Sequence, residues 1–183
     1  MSRTQSPNKM PSHAVSGPHV ELFWDEQTIE RPTDEGVETY YDYAYCRAPR
    51  ATSYAALVSA IIRSQYSSDQ EFSAINNGGA QYDEYQATRQ TAKTLAREYL
   101  GMPPLTLGEK RAQAKMSRAG FKLALLAGGY LTAIEDAYVM WPKDVQIMWD
   151  DSSVFERMHP ALLQLAGAMG FSDAEVDALF GIV

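Results

Sequence analysis

Two neighbouring segments near the N-terminus have the composition of β-strands, and they constrain the fold more than any other feature of this chain. Residues 20–30 and 37–47 are rich in Val, Ile, Thr, Tyr, Phe and Trp, and the sequence between them is Arg31-Pro-Thr-Asp-Glu-Gly36. Such residues favour strands, and a short segment with Pro, Asp and Gly favours a turn. The pattern predicts a β-hairpin over residues 20–48 with a longer loop. Because an isolated hairpin is marginal in water, we expect it to pack on helices or on another copy of the protein.

The second predicted strand concentrates aromatic residues, with Tyr40, Tyr41, Tyr43 and Tyr45 in six positions. Side chains alternate along a strand, so the last three share one face. Tyrosine is favoured where one end of the ring is buried and the other is wet, as at protein interfaces, although a face covered by the protein's own helices is the alternative. We identify Trp24, Tyr41, Tyr43 and Tyr45 as candidate interface residues. We expect truncation of Tyr43 and Tyr45 to weaken association more than it destabilises the subunit.

Helical periodicity dominates after residue 53. Ser53 is a candidate N-cap for the first helix, Ser68 with Glu71 matches a capping box for the second, and a third helix is predicted over residues 82–100. Residues 49–101 are therefore predicted to form a three-helix module. Residues 117–183 are predicted to form a C-terminal, all-helical module, in which Ser117 caps a helix and Ser172 with Glu175 forms a second capping box.

The two predicted modules are separated by a segment that opens Met102-Pro-Pro-Leu-Thr-Leu-Gly108 and continues with strongly charged residues. Consecutive prolines cannot continue a helix, so residues 102–116 are predicted to be a linker. Residues 1–19 have little apolar content and are predicted to be a flexible tail without regular secondary structure. The predicted fold class is mainly α with a small N-terminal β-hairpin, in which two small helical modules are joined by the Pro-rich linker.

Charge and motif content argue against the common enzyme classes. The chain has 23 acidic and 16 basic side chains, a formal charge of −7, which disfavours nucleic acid as a partner. No nucleotide-binding, hydrolase or zinc-protease motif is present. His159 precedes Pro160 and is interpreted as an N-cap-like residue, and the single cysteine, Cys46, as a small apolar core residue. We assign no catalytic, cofactor-binding or metal-binding residue, and we expect no small-molecule substrate and no membrane anchor; an enzyme using Asp150, Asp151, Glu156 and His159 is the minor alternative.

Two groups of segments resemble known proteins. The first resembles small uncharacterised proteins of tailed bacteriophages and prophages, and it comprises residues 53–68, Ile75-Asn-Asn77 and Glu84-Tyr-Gln-Ala-Thr-Arg-Gln-Thr-Ala-Lys93. The second is similar to a short helical module of phage proteins encoded among tail and tail-fibre genes, and it comprises Phe121-Lys-Leu-Ala-Leu-Leu126, Gln146-Ile-Met-Trp-Asp-Asp-Ser-Ser-Val-Phe155 and His159-Pro160. The resemblance implies a phage context and carries no catalytic residue with it.

These observations lead to one expected function and one alternative. We expect a virion-associated structural or accessory protein of a tailed bacteriophage, in the tail, fibre or connector region, that acts only by protein–protein binding. Its expected partners are other phage structural proteins and copies of itself. It would be made in the host cytoplasm and then enter the virion. The alternative is a tail-fibre assembly factor or chaperone that is absent from the mature particle.

Overall fold

The computed structural model describes residues 2–34, 36–50 and 53–182. Helices make up 53% of the chain and strands 24%, and a four-stranded antiparallel sheet lies within residues 3–49. The prediction of a mainly α chain with only a small hairpin is therefore wrong. The strands of this sheet, in the spatial order β1-β4-β3-β2, are β1 (Arg3–Ser6), β2 (His13–Ser16), β3 (His19–Thr33) and β4 (Gly36–Pro49).

The predicted hairpin is present and forms the centre of the sheet. β3 pairs with β4 from His19 opposite Pro49 to Thr33 opposite Gly36. Most of the predicted loop is therefore strand, because the pairing continues through Arg31 and Pro32. Glu35, which belongs to the predicted loop, lies outside the described residues.

The prediction of a flexible tail over residues 1–19 is wrong for the residues that the structure describes. β1 pairs with the outer edge of β4, and β2 pairs with the outer edge of β3. A tight turn at Gly17 and Pro18 joins β2 to β3, and Gly17 has a φ of 59°, which glycine adopts without steric cost. Backbone hydrogen bonds to the hairpin edges hold these short strands in place. Because such bonds do not require apolar side chains, the low apolar content of residues 1–19 gave no indication of the strands.

Three helices follow the sheet, and their caps explain where they begin. They are α1 (Tyr54–Gln65), α2 (Ser68–Asn77) and α3 (Gly79–Tyr99). The Ser53 side chain accepts a hydrogen bond from the Ala56 amide, which confirms the predicted N-cap. The capping box of α2 is shifted by one residue from the prediction: Ser67 and Gln70 each bond the other's backbone amide. Residues 51 and 52, in the predicted break before α1, lie outside the described residues.

The remaining chain adds six helices and a two-stranded ladder among its described residues. They are α4 (Leu107–Gln113), β5 (Lys115–Ser117), α5 (Arg118–Ala127), α6 (Leu131–Ala137) with a 3₁₀ turn (Tyr138–Met140), α7 (Lys143–Asp151), β6 (Val154–Glu156), α8 (Pro160–Ala168) and α9 (Asp173–Leu179). The segment predicted as a linker thus contains α4, which opens with a capping box between Thr106 and Glu109. The prediction of an all-helical C-terminal module is also wrong, because β5 pairs with β6. The caps predicted at Ser117 and Ser172 are confirmed.

The core of this C-terminal part is aromatic at its centre. Phe121 packs against Phe155 and Phe180 with ring centroids 4.9 Å and 5.4 Å away, and Trp141 meets Trp149 edge-on at 5.4 Å. Further buried side chains of the same cluster are Leu125, Ile134, Val145, Met148, Ala161, Leu162, Leu165, Ala166 and Val176.

A buried ion-pair network borders this core. The Arg157 side chain is fully buried, and its Nε donates to Asp177 Oδ1 at 2.8 Å while its Nη2 donates to Asp173 Oδ1 at 2.8 Å. Arg111 Nη2 donates to the second oxygen of Asp177 at 2.6 Å. Arg157 Nη1 has no hydrogen-bond partner among the described residues. Asp177 is therefore the main compensation for a positive charge that is removed from water.

The chain divides into two compact units that are not continuous in sequence. The first, called the sheet unit, is Met1–Phe72 with Thr88–Pro104, and the second, called the helical unit, is Ser73–Ala87 with Leu105–Val183. One of the boundaries between the two units in the sequence, between Pro104 and Leu105, lies within the predicted Pro-rich linker. The predicted three-helix module over residues 49–101, in contrast, is divided, since α3 contributes residues to both units.

Candidate functional site

The outer part of the central hairpin is a two-stranded arm. β1 pairs with β4 only as far as Tyr41, and β2 pairs with β3 only as far as Leu22. Beyond these points no third strand is present within the described residues, so residues 28–34 and 36–40 extend as a two-stranded ribbon, which we call the β-arm. At about 3.3 Å per residue it is roughly 20 Å long.

A bulge and an arginine hold the base of the β-arm. The β3–β4 register shifts between Trp24 and Gln27, where Asp25 has a φ of 54°. Arg3 from β1 donates to the Asp25 carboxylate at 2.7 Å and to the Asp25 carbonyl at 2.9 Å. It also forms an ion pair with the buried carboxylate of Asp42. Arg3 thus stabilises a strained backbone position and compensates a buried negative charge.

Replacing Arg3 with alanine is expected to lower the free energy of unfolding by about 1 to 3 kcal/mol, because Asp42 would stay buried without its cation. The measurement is the midpoint of urea denaturation, with protection of β4 amides from hydrogen exchange locating the change in the sheet unit. Lys9→Ala is the matched control, since it removes an equal charge that is largely exposed. Equal midpoints for the two variants would contradict this role of Arg3.

The tyrosine face of the sheet is covered by the protein's own N-terminal segment. Residues 7–12 connect β1 on one edge of the sheet with β2 on the other, so this connector crosses one face. The Met10 amide donates to the Tyr43 hydroxyl at 2.9 Å, and that hydroxyl donates to Glu26 at 2.9 Å. Tyr43 is only 3% exposed and contacts the ring of Phe23. Tyr43 is therefore a core residue of the sheet unit, and the prediction that it anchors an interface is not supported.

The charges under the connector are arranged to hold it in place. Lys9 forms an ion pair with Glu26 at 2.8 Å and lies over the ring of Tyr41. The hydrogen bond that the Lys9 ammonium donates to Glu26 within this ion pair lowers the pKa of Glu26 and raises the pKa of Lys9. Burial raises the pKa of the Tyr43 hydroxyl. All three groups thus keep their hydrogen-bonding protonation state at neutral pH.

The four predicted interface residues do not form one surface. Phe23 lies opposite Tyr45 and Trp24 opposite Ala44, so Trp24 lies on the sheet face opposite to Tyr41, Tyr43 and Tyr45. The Trp24 face also carries Cys46, which is buried. Trp24, Tyr41 and Tyr45 remain partly exposed, and their role at an interface stays a prediction.

The β-arm exposes both apolar side chains and backbone hydrogen-bonding groups. Val37 is 64% exposed. The Tyr45 amide donates to the Ser2 carbonyl, so odd-numbered residues of β4 direct their backbone groups towards β1. By this alternation Val37 and Thr39 direct theirs outward beyond the end of β1. On the opposite edge the outward position next to the tip is Pro32, which has no N–H group. By the same alternation Thr28 and Glu30 direct their backbone groups outward on the β3 edge, so both edges of the β-arm are open to a further strand and only the β3 edge contains a proline among its outward positions.

The other candidate groups have structural environments. His159 accepts a hydrogen bond from the Ala161 amide, which confirms its N-cap role. Cys46 is buried, and burial raises the pKa of its thiol. Among the described residues no group of three or more His, Cys, Asp or Glu side chains could hold a metal ion.

The residues that organise the site were missed in the sequence because they lie in the predicted tail. Arg3, Lys9 and Met10 have no local pattern that marks them, since each acts through a partner 17 or more positions away. The one available signal was the Gly17-Pro18 pair followed by the first strand, which is typical of a tight hairpin turn.

Within the part of the chain that the structure describes, no single helix is long and apolar enough to cross a membrane. α5 and the segment Leu131–Met140 meet this condition only as a pair, bent by 113°.

Comparisons with known proteins add no relative. The chain matches no family model, no curated protein and no solved structure.

Proposed function

We propose that this protein acts by protein–protein binding as a structural or accessory component of a tailed-phage particle, with the β-arm as its main contact element. The observation that carries this proposal is the β-arm itself: a ribbon of about 20 Å with an exposed valine and, on the β4 edge, an open strand edge without proline. The resemblance of the helical segments to proteins from phage tail gene regions supplies the phage context.

The open edge favours a polypeptide as the partner. Unpaired backbone N–H and C=O groups in a row form a template on which a further strand can pair. The exposed carboxylates of the β-arm hinder indiscriminate pairing with other acidic edges. Strand pairing of this kind fixes the relative orientation and register of two proteins in an assembly, and it involves no catalytic step.

The proposal is tested by quantitative mass spectrometry of particles purified from a phage or induced prophage that encodes the protein. We expect the amount of the protein relative to the tail proteins to stay constant through successive steps of gradient purification. The relative amount of an abundant host protein is expected to fall at each step. Recovery only in complexes with unassembled fibres would favour the assembly factor. Absence from both fractions would contradict the proposed function.

A further inference from the structure

The β4 edge of the β-arm is a short slot for a further strand. β1 ends at Ser6, opposite Tyr41, so residues 36–40 have no strand neighbour on that side among the described residues. Val37 and Thr39 direct their N–H and C=O groups into this space. The slot contains no proline, so both N–H groups can donate to an added strand. A short extended segment would therefore complete this edge of the sheet.

The carboxylate in the middle of the slot has no cation as a partner. Glu38 is exposed and accepts a hydrogen bond from the Tyr40 hydroxyl at 2.8 Å. Arg31 is opposite Glu38 in the register, but its guanidinium lies over the Tyr40 ring and donates to Gln5. Within the part of the chain that the structure describes, no ion pair includes Glu38. The slot therefore presents a negative charge that no side chain of this protein neutralises.

The other charges around the β-arm add to this negative excess. Glu30 and Asp34 are exposed, and neither belongs to an ion pair with another described residue. The two cations of the N-terminal segment, Arg3 and Lys9, are already paired with carboxylates at the base of the arm. Arg31 is thus the single cation against three carboxylates in the described residues of the β-arm. This charge favours a cationic partner.

The β3 edge is less suited to such a partner. Its outward positions Thr28 and Glu30 are followed by Pro32, which has no N–H group. The residue between Glu30 and Pro32 is Arg31, so a cationic strand on this edge would meet a like charge. The β4 edge has no such cation.

Resting on the proposed binding function, we infer that the β4 edge of the β-arm binds an extended, cationic segment of another protein by strand addition. Backbone pairing with Val37 and Thr39 supplies the hydrogen bonds, and a Lys or Arg side chain opposite Glu38 neutralises its carboxylate. Because side chains alternate along a strand, the residues on either side of that cation lie beside Val37 and Thr39, where β-branched side chains fit. The partner is thus a strand in which Lys or Arg alternates with Val, Ile or Thr.

The contact is short and is expected to be weak singly. Its charges are exposed, and raising the salt from about 0.1 M to about 1 M shortens the screening length from about 10 Å to about 3 Å. We expect binding to weaken at least about twofold over this range, because the ion pair at Glu38 is screened while the backbone pairing remains.

NMR titration of the full chain with a synthetic peptide tests the inference. The probe is acetyl-Thr-Lys-Val-Lys-Val-Lys-Thr-amide. One control peptide has Glu at the three Lys positions, and a second keeps the lysines and has Pro at both Val positions. We expect the amides of Val37 and Thr39 to become protected from hydrogen exchange with the probe alone. The proline peptide keeps the charge but lacks the N–H groups that pair with this edge.

Substitutions in the protein locate the site. Glu38→Gln keeps an acceptor for the Tyr40 hydroxyl but removes the charge, and it is expected to weaken binding of the probe about twofold to fivefold. Asp136→Asn, on an exposed residue of the helical unit, is the matched charge control. Thr39→Pro removes an outward N–H group and is expected to weaken binding at least about tenfold. Thr28→Pro is its control, since it removes an outward N–H group from the β3 edge instead.

The outcomes separate this inference from the proposed function. Equal binding of the three peptides, or no protection of Val37 and Thr39 at millimolar concentrations of the probe, would overturn the strand-addition site. Equal effects of Thr39→Pro and Thr28→Pro would do the same, and Glu38→Gln remains as the test if Thr39→Pro unfolds the arm. A protein that is present in purified particles but does not bind the probe would overturn this inference alone. Binding of the probe by a protein absent from particles and fibre complexes would overturn only the proposed phage function.

Discussion

Replacing Tyr43 with alanine is expected to lower the free energy of unfolding of the sheet unit by about 3 to 5 kcal/mol, the usual cost of truncating a buried aromatic side chain. The substitution removes the ring that packs on Phe23, and it leaves the Met10 amide and Glu26 without their shared hydroxyl partner. This expectation reverses the one drawn from the sequence, in which Tyr43 and Tyr45 were interface residues. Hydrogen exchange of the β4 amides, followed by mass spectrometry, is the direct measurement.

Tyr41→Ala is the control for this prediction. Tyr41 lies two residues away on the same face but is only partly buried, and the Lys9 ammonium lies over its ring. Its loss is expected to cost less than about 1 kcal/mol. If Tyr43→Ala left β4 protected while it dissociated an assembly, Tyr43 would be an interface residue after all.

Replacing Asp177 with asparagine is expected to destabilise the helical unit by a similar amount, about 3 to 5 kcal/mol, because it leaves the buried Arg157 guanidinium without its main counter-charge. Trp141 and Trp149 lie in the core of that unit, so their fluorescence during urea denaturation reports the change. Asp173→Asn is the control: the Asp173 side chain is 66% exposed, and its loss is expected to cost less than half as much. Equal losses for the two variants would contradict the role of Asp177 as the main counter-charge of Arg157.

The same network predicts how the helical unit responds to acid. Burial acts to raise the pKa of Asp177, but hydrogen bonds from Arg111 and Arg157 outweigh it and hold that pKa below its ordinary value. A carboxylate with a lowered pKa stabilises the fold above its unfolded-state pKa of about 3.9, and this stabilisation is lost as the pH falls through the lower folded-state value. Unfolding midpoints of the wild type should therefore fall steeply below about pH 4, and those of Asp177→Asn should change less.

Local signals predicted the elements whose stability is local. The alternation of Tyr41, Tyr43 and Tyr45 on one strand face and the caps at Ser53, Ser117 and Ser172 depend on residues within a few positions, and all are present in the structure. β1 could not be predicted in this way, because it is held by backbone pairing with residues 35 to 41 positions away. β2 pairs with residues only 3 to 9 positions away, but its four residues lack the apolar alternation by which the longer strands were predicted.

The candidate site was predicted only in part for the same reason. Which side chains share the tyrosine face follows from alternation, but what covers that face depends on the path of residues 7–12 across the sheet. The position of Trp24 on the opposite face depends on the register of β3 against β4, which the turn near Thr33 and the bulge at Asp25 determine together.

The interleaved path of the chain through the two units has a consequence for synthesis. The sheet unit can be completed once Pro104 has left the ribosome, whereas residues 73–87 emerge long before the rest of the helical unit. Asp83, in this early segment, accepts hydrogen bonds from the Ser117 amide at 2.7 Å and from its hydroxyl at 2.6 Å, and Ser117 is translated 34 residues later. The first part of α3 thus belongs to a unit that does not yet exist when it is made, so residues 73–87 stay without their packing partners while the sheet unit folds and the rest of the helical unit is translated.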